Sequence, residues 1–92
     1  MPRKRGKWEV LTVEEAFGRV LRDLRVENGL SQEQLGFELE SGRTYISELE
    51  RGQRSPTVKW IFRVAHRFGT PPSELMHRVE KLAPGLLARS DH

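Results

Sequence analysis

Apolar residues recur along this chain in short helical stripes separated by polar breaks, and no segment alternates as a strand does. The first stripe is Val13, Ala16, Phe17, Val20, Leu21 and Leu24, spaced for one face of a helix. Thr12 and Glu15 form a capping box at its start, Leu11 can staple onto Ala16, and Asn28-Gly29 ends it. Ser31 and Gln34 make a second capping box, which opens a short helix. Glu40-Ser41-Gly42 breaks the pattern, and a third helix runs from about Arg43 to Arg51, stopped by Gly52. A fourth begins after Pro56 with Thr57 as its cap and ends at Gly69; its predicted buried face is Val58, Ile61, Phe62, Ala65 and Phe68. Proline suits a first helical turn, so Pro71-Pro72-Ser73 starts a fifth helix. It carries the stripe Leu75, Met76, Val79 and Leu82 and stops at Pro84-Gly85. The pattern predicts an all-α, five-helix domain over 12–82, with an N-terminal arm at 1–11 and a tail at 83–92.

Length and composition narrow the class. A chain of 92 residues has room for one domain with a modest core. It has no cysteine, hence no disulfide framework and no thiol-ligated metal. No apolar run approaches the roughly 20 residues that span a bilayer, so no membrane partner is expected. The opening MPRKRGKWEV is basic but has no apolar stretch behind it, so it is not a secretory signal, and the expected location is the cytoplasm. Charge is unevenly spread. Residues 12–82 carry 11 basic and 11 acidic side chains, whereas the arm holds Arg3, Lys4, Arg5 and Lys7 against Glu9 alone. A basic arm on a small domain follows a phosphate backbone or a groove. The alternative is a solvated tail, and the neighbouring two-helix motif favours DNA.

That motif occupies residues 31–52. Two short helices across a tight break are the geometry that lets the second lie in a DNA major groove. Ile46 and Leu49 should point into the core, leaving Arg43, Thr44, Ser47 and Glu48 outside. An arginine can donate two hydrogen bonds to guanine O6 and N7, Thr and Ser can bond phosphate or base edges, and a glutamate can accept from a cytosine amino group. Arg51, Arg54 and Lys59 are candidate phosphate contacts, each weak alone and salt-sensitive together. Tyr45 either enters the core or presents its hydroxyl to phosphate, the latter being preferred.

The order of residues is more specific than the geometry. Ser31-Gln32 opens one helix, Arg-Thr-Tyr-Ile-Ser-Glu-Leu-Glu-Arg-Gly follows over 43–52, and Ile46–Pro56 reads I-S-x-L-E-R-G-x-R-x-P. Over residues 20–80 the chain resembles the lambda-repressor-like helix-turn-helix family, the XRE or Cro/CI type. The resemblance implies base reading at Arg43, Thr44 and Glu48. It implies a phosphate contact at Gln32 that also braces the reading helix, and an ion pair between Arg25 and Glu50 beneath that helix. One place departs from the pattern: the family often has glycine and then an apolar residue in the turn, where Glu40 and Ser41 stand here. A core contact should therefore be lost or shifted.

The function this implies is a transcriptional regulator that reads a palindromic operator in double-stranded DNA as a homodimer. One reading helix covers too few base pairs to find a site in a genome, and a dimer doubles the contact set. The dimer surface is expected on Leu75, Met76, Val79 and Leu82, because a domain this small should not cover that whole stripe. Small family members without a sensor domain control phage, restriction–modification or toxin–antitoxin genes. The alternative is an antitoxin or adaptor that uses the same fold to hold a partner protein. The near-neutral domain and the five acidic residues within 31–50 support it.

Trp60 falls between the predicted stripe positions of the fourth helix. It should lie flat on its own helix or serve as an exposed anchor for a partner subunit or the arm. Trp8 should pin the arm to the first helix. His66, His77 and His92 lack metal-ligand spacing, and no phosphate loop, cysteine nucleophile or Ser-His-carboxylate set is legible. Neither an enzyme nor a cofactor is expected.

Overall fold

A computed structural model describes residues 11–83. Five α-helices follow one another: α1 Val13–Glu27, α2 Gln32–Glu38, α3 Arg43–Glu50, α4 Val58–Arg67 and α5 Pro72–Leu82. Their starts are chemical. Thr12 Oγ1 accepts from the Glu15 amide at 3.0 Å while Glu15 returns a bond to the Thr12 amide. Ser31 and Gln34 make the same reciprocal pair at α2, and Thr57 Oγ1 accepts from the Trp60 amide at 3.1 Å. Each such cap satisfies amides that the helix itself leaves open and contributes about 1 kcal/mol.

The helices close around a single core. α3 packs against both α1 and α2, α5 lies across α1, and α4 meets α5. Ala16, Leu21, Leu35, Ile46, Leu49, Val64 and Leu75 are all at most 1% exposed. Burying each large aliphatic side chain stabilises by roughly 1.5–3 kcal/mol. This is the all-α, five-helix arrangement that the sequence pattern predicts.

Three expectations about faces are corrected. Val13 is 41% exposed, because the core contacts of α1 begin one turn later at Ala16. The buried face of α4 is Trp60, Val64 and Ala65, while Val58 and Phe62 are 70% and 58% exposed. Trp60 thus belongs to the core: its ring sits edge-on to Phe17 and Tyr45, with centroids 6.4 and 5.6 Å away. Finally, Leu75 and Val79 are buried within the chain, and Met76 and Leu82 pack half-buried at the edge of the core. The domain covers its α5 stripe by laying it across α1. The large apolar side chains left exposed lie elsewhere, chiefly Phe37 on α2 and Val58 and Phe62 on α4.

Candidate nucleic-acid interface

The turn between α2 and α3 sets the geometry. Glu40 adopts φ 55° and Gly42 φ 81°, so the left-handed residue falls on a glutamate. The Gly36 carbonyl accepts from the Ser41 and Gly42 amides at 2.8 and 3.2 Å, which ends α2 and turns the chain. A Cβ on Gly36 would stand 2.5 Å from the Gly42 carbonyl carbon. α2 can therefore approach the start of α3 this closely only with glycine there. Gly18 does the same for α1, since a Cβ would come within 2.3 Å of the Leu49 carbonyl oxygen. Both glycines escaped the sequence reading. A glycine inside a helix costs roughly 1 kcal/mol against alanine, and that cost was the available signal.

Ser41 answers the departure in the turn. Its hydroxyl accepts from the Trp60 indole N–H at 2.7 Å and donates to the Leu39 carbonyl at 3.0 Å. The apolar contact expected at this position is replaced by a polar one, and it ties α4 to the turn.

A second brace lies under the far end of α3. Arg25 Nε and Nη2 donate to the two Glu50 carboxylate oxygens at 2.6 and 3.0 Å, and Nη1 donates to the Leu30 carbonyl at 2.8 Å. Gln32 Nε2 donates to Glu50 Oε1 at 3.0 Å, so it buttresses the reading helix from α2. The side chains of Arg25 and Glu50 are 12% and 4% exposed. The hydrogen bonding of its guanidinium to Glu50 raises the Arg25 pKa above its ordinary value; burial opposes this, and the carboxylate charge adds to it.

With Ile46 and Leu49 fully buried, the opposite face of α3 is set. Arg43 and Thr44 stand exposed on its first turn, with Ser47 and Glu48 half-exposed one turn on. Gly42 provides no side-chain cap, so the helix presents open amides beside Arg43. Such an end favours anions. At the end of α3, Arg51 Nη1 donates to Ser47 Oγ at 2.6 Å; after Gly52 the chain folds back and Arg54 Nε donates to Glu48 Oε1 at 2.7 Å. Tyr45 packs half-buried against the core, with the Arg54 guanidinium 5.4 Å from its ring centroid. Lys59 is exposed at the start of α4. Arg3, Lys4, Arg5, Lys7, Trp8 and His92 lie outside the described residues. His66 and His77 are exposed, and no group of metal-ligating residues occurs among the described residues. No described helix is long and apolar enough to cross a membrane.

The helix-turn-helix family profile matches residues 21–75, more than half the chain. The control protein C.BamHI of Bacillus amyloliquefaciens is 38% identical over 61 residues, covering 65% of this chain and 75% of that protein. The crystal structure of the restriction–modification controller protein C.AhdI from Aeromonas hydrophila superposes with a TM-score of 0.62 at 41% identity, covering 66% of this chain and 92% of that one. The clp gene regulator ClgR of C. glutamicum superposes with a TM-score of 0.76 at 25% identity, covering 84% of this chain and 99% of that one. With its capped α2, its turn and its braced α3, this chain belongs to the Cro/CI-type (XRE) helix-turn-helix family of DNA-binding transcriptional regulators.

Proposed function

We propose that the chain is a sequence-specific regulator that reads a palindromic operator as a homodimer, with the helix at 43–51 in the major groove. One observation carries this reading. α3 is fixed against α1, α2 and α4 by two close glycine contacts, the Arg25–Glu50–Gln32 brace and the Trp60–Ser41 bond, and its outer face is left to Arg43, Thr44, Ser47 and Glu48. A helix held this rigidly is what base readout requires, because bidentate contacts tolerate little misplacement. Arg43, Thr44, Ser47 and Glu48 read base edges, while Gln32, Tyr45, Arg51 and Lys59 face the backbone; Arg54, paired with Glu48, stands between the two sets. The arm 1–11 adds sequence-independent affinity to the domain 12–82, and a DNA-reading role places the protein in the cytoplasm. The likeness to named control proteins of restriction–modification systems supports regulation of that kind.

The dimer surface in this reading is centred on α4, beside the half-buried Met76 and Leu82 of α5. Val58 and Phe62 are one turn apart and mostly exposed, whereas in the α5 stripe Leu75 and Val79 are buried and Met76 and Leu82 are left half-exposed. Two copies meeting there would cover that apolar patch.

Selection of bound duplexes from a random DNA pool tests the reading. An inverted repeat with half-site centres about one helical turn apart is the expected result. A pool without enrichment would refute it.

A further inference from the structure

The segment after α3 returns to the reading helix instead of leaving it. The Gln53 amide donates to the Glu48 carbonyl at 2.9 Å, which reverses the chain and lays Arg54 back along the last turns of α3. Arg54 is then held twice. Its Nε donates to Glu48 Oε1 at 2.7 Å, and its guanidinium lies over the Tyr45 ring, 5.4 Å from the centroid.

Glu48 is the anomalous residue of this face. A carboxylate offered to a polyanion is repelled by the phosphates unless a cation stands against it. Arg54 supplies that cation from outside the helix. It occupies Oε1, so Oε2 remains to accept from another donor, and the Glu48 side chain is still 30% exposed. The Arg54 side chain is itself 57% exposed, so its planar guanidinium, set against ring and carboxylate, biases the orientation of the carboxylate without locking it.

We infer that Arg54 is a positioning residue for base readout. It neutralises and aims the Glu48 carboxylate, whose free oxygen accepts from the exocyclic amino group of a cytosine. On this account the loop after the reading helix, and not the helix alone, sets the preference at one base pair. The inference rests on the proposed DNA-reading function and narrows it.

A simple phosphate contact by Arg54 makes a different prediction. It would add affinity equally on every sequence and independently of Glu48. The experiment is a double-mutant cycle on the full chain with Glu48→Gln, Arg54→Met and the pair. Each protein is titrated against the selected operator, its single-base-pair variants and random duplex. Arg54→Lys, which keeps the charge but loses Nε and the flat stacking surface, is a fourth variant. The cycle is expected to show Arg54→Met and Glu48→Gln each flattening preference at the same base pair, on the order of tenfold, with the double variant no worse than either. Arg54→Lys should restore affinity for random duplex without restoring that preference. Equal losses on specific and random DNA, additive with Glu48→Gln, would overturn the inference, as would a Glu48→Gln protein with unchanged base preferences. Retained binding to random duplex serves as the folding control. If the wild type enriches no operator, the proposed function itself fails; wild-type selectivity with an additive cycle sinks only the role of Arg54.

Discussion

The Trp60 indole N–H donates to the Ser41 hydroxyl at 2.7 Å, joining α4 to the turn before the reading helix. Both residues depart from what their surroundings suggest: a serine where the fold usually sets an apolar side chain, and a tryptophan between apparent stripe positions. Each supplies the other's missing partner. Ser41→Ala strands a buried indole N–H and should cost about 1–3 kcal/mol. In the Ser41→Ala background, Trp60→Phe should then cost little beyond its lost ring area. Chemical denaturation of all four proteins measures the coupling, and an additive cycle would mean that the bond contributes nothing.

The Arg25–Glu50 pair should be strongly coupled as well. Glu50→Ala leaves a largely buried guanidinium without its carboxylate and should cost about 3–5 kcal/mol, a large share of what a domain this small possesses. Folding and DNA binding should be lost together, whereas Arg25→Met with Glu50→Leu should recover the fold. The pKa of Arg25 is raised in the folded state. Its contribution is therefore fully present below the guanidinium's ordinary value and is lost only as pH rises through the raised one. Stability from the arginine side should stay flat from acid to mildly alkaline pH. A Glu50→Ala protein that melts with the parent would show that the brace is dispensable.

At Gly18 an added Cβ meets backbone, which cannot swing aside. Gly18→Ala improves helix propensity by about 1 kcal/mol, yet it must push α3 off α1. Overpacking typically costs about 1–3 kcal/mol, so the net effect should be destabilising, with operator binding reduced further by the displaced reading helix. A Gly18→Ala protein more stable than the parent would contradict that close approach.

Arg43 and the arm should separate by sequence dependence. Arg43→Ala should cost about 1–3 kcal/mol on the operator and relax one base pair. Removing residues 1–7 should weaken all duplexes alike and reduce the salt slope by about one unit per lost phosphate contact. Titrations at several salt concentrations distinguish the two patterns. Equal losses on specific and random DNA for Arg43→Ala would reduce it to a backbone contact.

The proposed dimer surface gives opposite outcomes at two positions. Phe62 is largely exposed, so Phe62→Arg should yield a folded monomer with weakened operator binding. Val79 is 7% exposed, so Val79→Arg should unfold the chain by burying an unpaired charge. Light scattering with circular dichroism reads both. A Phe62→Arg protein that remains dimeric would move the interface elsewhere.

Local chemistry was legible in the sequence. Thr12/Glu15, Ser31/Gln34 and Thr57 place the helix starts because a cap is a contact between residues three apart in the chain, which needs no tertiary partner. The stops at Gly29, Gly52 and Gly69 likewise follow from single residues at positive φ. The core side of α3 was legible from Ile46 and Leu49, since its other positions are mostly polar.

Tertiary structure decided what the local pattern left degenerate. α4 is apolar enough to offer two stripes at helical spacing, sharing Ile61, Ala65 and Phe68. Only the packing of Trp60 on Phe17 and Tyr45, with Ser41 to receive its N–H, selects the face that turns Val58 and Phe62 outward. The same holds for α5, whose stripe looks like surplus until α1 is laid against it. The partnership of Arg54 with Glu48 depends on a chain reversal that brings together residues six apart. Periodicity states which residues share a face; which face is buried depends on the neighbour that covers it.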